Sequence, residues 1–123
     1  MIYFACAACE QPLTGDLRES QMFPASDNLS DHRIAAPRVA RGTYAINYDA
    51  TRFILHPDDV PGTTRHADSK RCNGCCGLDG QDGPNLVCLG CGVDVATKES
   101  DCWTDNLVAV IAAAVLTNSR SSS

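Results

Sequence analysis

The chain has 123 residues, a net charge of -5, and only three Phe, three Tyr and one Trp. This length implies one domain, and so few large apolar side chains imply a thin core that needs cross-links or metal to hold it. Overall acidity argues against a general nucleic-acid binder, although residues 33–71 carry seven Lys or Arg against four Asp between two acidic flanks.

Taken in order, "IYFA" at Ile2–Ala5 reads as a short strand running into Cys6-Ala-Ala-Cys9. This apolar opening has no basic region before it and is too short for a secretory leader. It also lies too close to Met1 for a lipoprotein cleavage site. "PLTG" at Pro12–Gly15 reads as a return strand ending in a turn. Asp16–Arg41, rich in Ser, Asp and Asn, reads as an extended loop with a helical turn near Asp31–Ala36. Thr43–Tyr48 and Arg52–Leu55 read as strands, and "HPDDVPG" at His56–Gly62 breaks the pattern with two Pro and a Gly. "GLDGQDGPN" offers Asp79 and Asp82 but lacks the alternating carboxylates and final Glu of a calcium loop, so it reads as tight turns. "LVCLGCGVDVA" at Leu86–Ala96 reads as strand, turn, strand.

"LVAVI" at Leu107–Ile111 is a strand or the start of a helix, and the longer apolar run Leu107–Leu116, at roughly half the length of a membrane span, is not one. The expected architecture is therefore small, mainly β and metal-stabilised, with zinc-ribbon-like knuckles and short antiparallel strands joined by long loops. It forms a single zinc-binding domain over residues 1–116, followed by a disordered tail over 117–123. With no leader and no span, the expected setting is soluble and cytoplasmic, where thiols stay reduced and a Cys pattern points to metal or catalysis before disulfides.

Eight cysteines carry the chemistry. CxxC occurs at Cys6/Cys9, Cys72/Cys75 and Cys88/Cys91, with Cys76 and Cys102 in addition. A two-residue spacer lets one tight turn aim both sulfurs at one ion, and a structural Zn²⁺ takes four such ligands in a tetrahedron. All eight are candidate ligands, enough for about two zinc ions at four thiolates each. In "CLGCG" the Gly after the second Cys suits a left-handed conformation, whereas "CAACE" has Glu10 at that position.

Two partitions stay open. Cys6/Cys9 can join Cys72/Cys75, leaving Cys76, Cys88, Cys91 and Cys102 as a local second site. Alternatively Cys6/Cys9 join Cys88/Cys91, and Cys75, Cys76 and Cys102 form another site with Cys72 or His66. Loop closure discriminates between them by only about 0.6 kcal/mol per doubling of loop length. His56 precedes Pro and His32 has no visible partner, so neither adds a ligand.

"FACAACEQPLTG", "ILHPDD", "NGCCGLDGQDGPN", "CLGCG" and "VATKESDCW" together resemble a family of small, uncharacterised actinobacterial Cys-rich proteins of zinc-ribbon-like type. The resemblance covers both ends of the Cys framework and implies no activity.

An enzyme fits poorly. A thioredoxin-like role wants CxxC at a helix start in a βαβ unit, and a zinc deaminase wants HxE with PCxxC. Neither pattern is present. The expected function is a non-enzymatic structural zinc protein that contacts another protein, with Trp103 beside Cys102 as a cover for metal, local core or part of an interface. The alternatives are a nucleic-acid-binding ribbon using the Arg-rich segment 33–71 and a rubredoxin-like iron protein for electron transfer, since four thiolates also hold iron.

Overall fold

The structure, a computed structural model, describes residues 1–21, 38–47, 50–67, 83–100 and 106–119. Among the described residues nine strands are formed: β1 (Ile2–Cys6), β2 (Arg18–Glu19), β3 (Thr43–Ile46), β4 (Arg52–Leu55), β5 (Thr63–Arg65), β6 (Leu86–Cys88), β7 (Asp94–Glu99), β8 (Leu107–Ile111) and β9 (Val115–Ser119). They make a seven-stranded sheet in the order β2-β3-β4-β8-β7-β6-β5 and a two-stranded sheet of β1 and β9. All pairs are antiparallel except β2 with β3. The expected mainly-β class with short antiparallel strands is therefore present. Among the described residues no helix is long and apolar enough to cross a membrane.

The apolar runs of β4 and β8 become strands because both of their faces are covered. Side chains alternate along a strand, so Phe53 and Leu55 enter the main core while Ile54 enters a second cluster on the opposite face. β8 behaves likewise: Val108 and Val110 join the main core, Leu107 and Ala109 the second cluster. Val39, fully buried, closes that second face from the stretch before β3, where the Arg38 N–H donates to the Asn106 carbonyl.

The small sheet packs on the large one through Phe4. Its ring stacks on Phe53 at 4.5 Å between centroids and meets the edge of Tyr44 at 5.4 Å. Each fully buried side chain of this kind contributes about 1.5–3 kcal/mol, which fixes how the sheets face each other. Thr14 supports the same contact by accepting the Phe4 N–H through its hydroxyl at 3.1 Å.

Of the two readings of Leu107–Ile111, the strand is the one formed, and the longer apolar run to Leu116 continues through a turn into a further strand. β8 ends at Ile111, a 3-10 turn over Ala112–Ala114 carries the chain across, and β9 begins at Val115. Three expectations need correction. Residues Thr117–Ser119, expected in a disordered tail, lie in β9 and pair with Phe4, Tyr3 and Ile2. Pro12–Gly15 returns along β1 only as an isolated bridge, Pro12 opposite Ala5. Within the supposed loop Asp16–Arg41, Arg18–Glu19 forms a strand against β3. The helical turn expected near Asp31–Ala36 lies outside the described residues.

Two buried polar side chains pin loops to this frame. Asp59 accepts from Arg41 Nε at 2.6 Å and from the Gly42 N–H at 2.8 Å. Asn85, fully buried, mimics a strand neighbour. Its Oδ1 accepts the Lys98 N–H at 2.7 Å, and its Nδ2 donates to the Lys98 carbonyl at 3.0 Å. Beside it, β6 and β7 slip register between Leu86 and Val87, so Val95 bulges without a partner and its side chain is fully buried.

Candidate metal centre

β1 and β6 have one feature in common: each ends on the first cysteine of a CxxC, Cys6 and Cys88. Strand alternation turns both of these residues into the core, where both are buried, while the turns lift Cys9 and Cys91 to the surface.

The two turns are built alike. The Cys6 N–H donates to the Gln11 carbonyl at 2.9 Å, and the Cys88 N–H to the Val93 carbonyl at 2.9 Å. The Glu10 N–H donates to the Cys6 carbonyl at 2.7 Å, and the Gly92 N–H to the Cys88 carbonyl at 2.8 Å. Glu10 and Gly92, each following the second cysteine, both take left-handed backbone, with φ of 64° and 81°. Glu10 accepts a conformation that costs an ordinary residue about 1–2 kcal/mol.

Gly62 brings the turns together. Its N–H donates to the Leu13 carbonyl at 2.9 Å, and its own carbonyl accepts the Leu89 N–H at 2.9 Å. The chain passes so close that a Cβ there would lie 2.3 Å from the Pro12 carbonyl oxygen. The sequence shows Pro61-Gly62 only as a turn; nothing in it marks the close approach.

The result is four sulfurs within 4.8 Å of one another: Cys6, Cys9, Cys88 and Cys91. Cys6 Sγ lies 3.6 Å from Cys91 Sγ, and Cys9 Sγ lies 3.6 Å from Cys88 Sγ. A disulfide needs about 2.05 Å, and the four are free thiols. A tetrahedron of sulfurs around a metal at about 2.3 Å has edges of about 3.8 Å, close to the observed spacing. These four residues could hold a metal ion. They correspond to the partition that joins Cys6/Cys9 with Cys88/Cys91.

Backbone N–H groups point at the sulfurs. The Gly90 N–H donates to Cys88 Sγ at 3.4 Å, and the Gln11 and Val93 N–H groups, in matched positions, act to lower the pKa of Cys9 and Cys91, as the Cys91 and Gly90 N–H groups act to lower that of Cys88. Ionisation of the bare cluster is shared unevenly. At Cys88 desolvation raises the pKa, but the donors from Cys91 and Gly90 and the thiols of Cys9 and Cys6 outweigh it, bringing the thiol to about 7. At Cys9 the Gln11 N–H pulls down and is outweighed by desolvation and three neighbouring thiols, which push it up to about 12. Cys91 is likewise raised, with the Val93 N–H opposing desolvation and the Cys6 and Cys88 thiols. One sulfur of a close set ionises and its neighbours stay protonated to donate to it. A cation is what lets all four become thiolates.

His66, weighed as a fourth ligand to a three-cysteine site, sits with Nε2 3.4 Å from Asp94 Oδ1, and its N–H donates to the Asn85 carbonyl. It is outside the four-sulfur group. Cys72, Cys75, Cys76, Cys102 and Trp103 lie outside the described residues. Among the described residues the four sulfurs form the one group of three or more His, Cys, Asp or Glu close enough to share an ion. Compared with protein-family models, with curated proteins and with solved structures, the chain matches none.

Proposed function

We propose that the protein is a non-enzymatic metal-binding module in which Cys6, Cys9, Cys88 and Cys91 hold a structural Zn²⁺ and the surface beside it docks another protein. The observation that carries this reading is the convergence of four thiols from two turns about 80 residues apart in sequence, each turn already supplying N–H donors to its sulfurs. The matched hydrogen bonds and the left-handed residue after each second cysteine support reading both turns as zinc knuckles. Four thiolates fill a tetrahedron, leaving no position for substrate or activated water, so the metal's task is to tie β1 to the β6–β7 turn.

The docking half of the reading is supported by Leu89, 59 % exposed between the two cysteines of its turn, and by Val93, exposed just after them. Large apolar side chains held in the open by a rigid turn suit a protein partner better than water. A nucleic-acid role is less well supported, because Arg41 of the basic segment is already bound to Asp59 and the net charge is negative.

A second Zn²⁺, held by Cys72, Cys75, Cys76 and Cys102, belongs to the same reading. These cysteines lie outside the described residues, on the two stretches that leave after Ala67 and after Ser100. The count of eight cysteines, twice the four that one tetrahedral ion takes, supports a second centre.

Elemental analysis of protein purified without added metal tests the whole reading. About two zinc per chain is the expected result, and less than half an equivalent of any transition metal overturns it. Iron in place of zinc, with a red protein, moves the reading to electron transfer.

A further inference from the structure

The four sulfurs are not equivalent, and the inequality is paired. Cys9 and Cys91 are exposed, Cys6 and Cys88 are buried, and each exposed sulfur lies 3.6 Å from the buried one of the opposite turn. Oxidation of protein thiols follows thiolate character and exposure together; with a metal bound all four sulfurs are thiolates, so exposure selects Cys9 and Cys91, and a sulfenic acid is converted to a disulfide when a resolving thiol stands beside it. We propose that Cys9 and Cys91 are peroxide-modification sites, resolved by Cys88 and Cys6 respectively, so that oxidation turns the metal centre into the disulfides Cys9–Cys88 and Cys6–Cys91. Release of zinc in this change rests on the metal reading above; the disulfide pairing does not.

The chemistry balances with hydrogen peroxide as the named oxidant. The Cys9 sulfur attacks one peroxide oxygen, the O–O bond breaks, and hydroxide leaves and takes a proton to become water. Cys9 is now a sulfenic acid, and the peroxide has been reduced by two electrons. The Cys88 sulfur attacks Cys9 Sγ, an S–S bond forms, the S–O bond breaks, and a second water leaves. A second peroxide does the same at Cys91 with Cys6. Zinc keeps its oxidation state and departs as the aquated ion once its thiolates are consumed.

Pairing across the turns has a consequence that pairing within them lacks. The bridges join positions 79 and 85 residues apart, so they constrain the unfolded chain strongly, whereas a bridge inside one CxxC closes a trivial loop. The β1 turn therefore stays tied to the β6–β7 turn after the metal has gone. What changes is charge: a zinc with four thiolates carries two negative charges beside exposed Leu89, and two disulfides carry none.

The test treats zinc-loaded and chelator-stripped protein with hydrogen peroxide, blocks remaining thiols with N-ethylmaleimide, and maps unreduced tryptic peptides by tandem mass spectrometry. Cleavage after Arg18, Arg71 and Lys98 puts Cys6 and Cys9 on one peptide and Cys88 and Cys91 on another. Both samples should give the two peptides joined as Cys6–Cys91 and Cys9–Cys88, and the loaded sample should lose the zinc of this centre as its four thiols disappear. Cys91→Ser should still form Cys9–Cys88 and leave Cys6 open to the blocking reagent. Bridges confined to Cys6–Cys9 and Cys88–Cys91, the alternative pairing Cys6–Cys88 with Cys9–Cys91, or sulfinic acids at Cys9 and Cys91 over blocked Cys6 and Cys88 would each overturn the proposal. Protein that holds no zinc yet forms the two expected bridges overturns the metal reading alone. Protein that keeps zinc and thiols under peroxide overturns the switch alone.

Discussion

The turns Cys6–Gln11 and Cys88–Val93 place the same atoms in the same positions with different residues. In the second, Gly90 and Gly92 suit a tight left-handed turn; in the first, Ala8 and Glu10 occupy those positions, and Glu10 still adopts φ of 64°. Local propensity therefore explains one turn and not the other. What they have in common is the strand before, the paired N–H donors and the convergence on one centre. The frame imposes the conformation, and the second turn meets it at lower cost.

Removing a ligand breaks the comparison most severely. Cys88→Ser takes a buried sulfur from the centre and should cost on the order of 3–5 kcal/mol, a fall of about 10–20 °C in melting temperature with loss of that metal. Cys9→Ser, at the matched exposed position of the other turn, should cost less, because water can stand in for the sulfur. Thermal melts beside metal analysis decide this, and equal losses at the two positions would show that burial of the ligand is irrelevant.

Acid should attack both turns through the same competition. Thiolates bind zinc and thiols do not, so zinc affinity falls as pH falls. Cys9 and Cys91 hold their protons above the ordinary thiol range, and each must surrender one to the metal at neutral pH. Cys88 regains its proton only below about 7, so the pH dependence should steepen there by about tenfold per unit. Zinc competition with a chromophoric chelator between pH 5.5 and 8.5 measures the slope; a constant slope across 7 would remove Cys88 from the set of unequal thiols.

The link between the turns comes next in size. Gly62→Ala places a methyl group 2.3 Å from the Pro12 carbonyl oxygen and 2.6 Å from Leu13 Cα, both backbone atoms. The backbone must move, and urea denaturation should show a loss of about 2–4 kcal/mol. A loss below about 0.5 kcal/mol would mean that the turns do not depend on this crossing.

Exchanging residues between the turns sharpens the comparison with the smallest effects. Gly92→Ala should cost about 1 kcal/mol, since φ of 81° disfavours a Cβ. Glu10→Gly should stabilise by about 0.5 kcal/mol, the relief of left-handed strain being partly offset by the greater freedom of glycine in the unfolded chain. Urea midpoints resolve both, and a destabilised Glu10→Gly would mean that the Glu10 side chain makes a contribution of its own.

These contrasts also mark what the sequence made legible. Arg52–Leu55 and Leu86–Cys88 were readable as strands because β-branched and apolar residues fill two covered faces. Thr63–Arg65, Arg18–Glu19 and Val115–Ser119 were not: they are polar and partly exposed edge or outer strands, so composition alone resembles a loop. The cysteines announced metal chemistry by spacing, but their partition was illegible, because loop-closure entropy varies too slowly with length to choose partners. Topology made the choice, by ending β1 and β6 side by side on Cys6 and Cys88. For Glu10 the only signal of left-handed backbone was its place after the second cysteine, since the residue type itself disfavours that conformation.

The register of β1 with β9 has a mechanical meaning. Ile2 is opposite Ser119 and Cys6 is opposite Val115, so tension applied at Ile2 and Ser119 loads one rung at a time. Such a zipper opens at low force, as each step breaks a single pair. Peeling reaches Cys6 at the last rung, where the sulfur belongs to a centre shared with β6. With the proposed metal bound, resistance there would pass from serial hydrogen bonds to metal–sulfur bonds, so the module would yield readily at first and then stop.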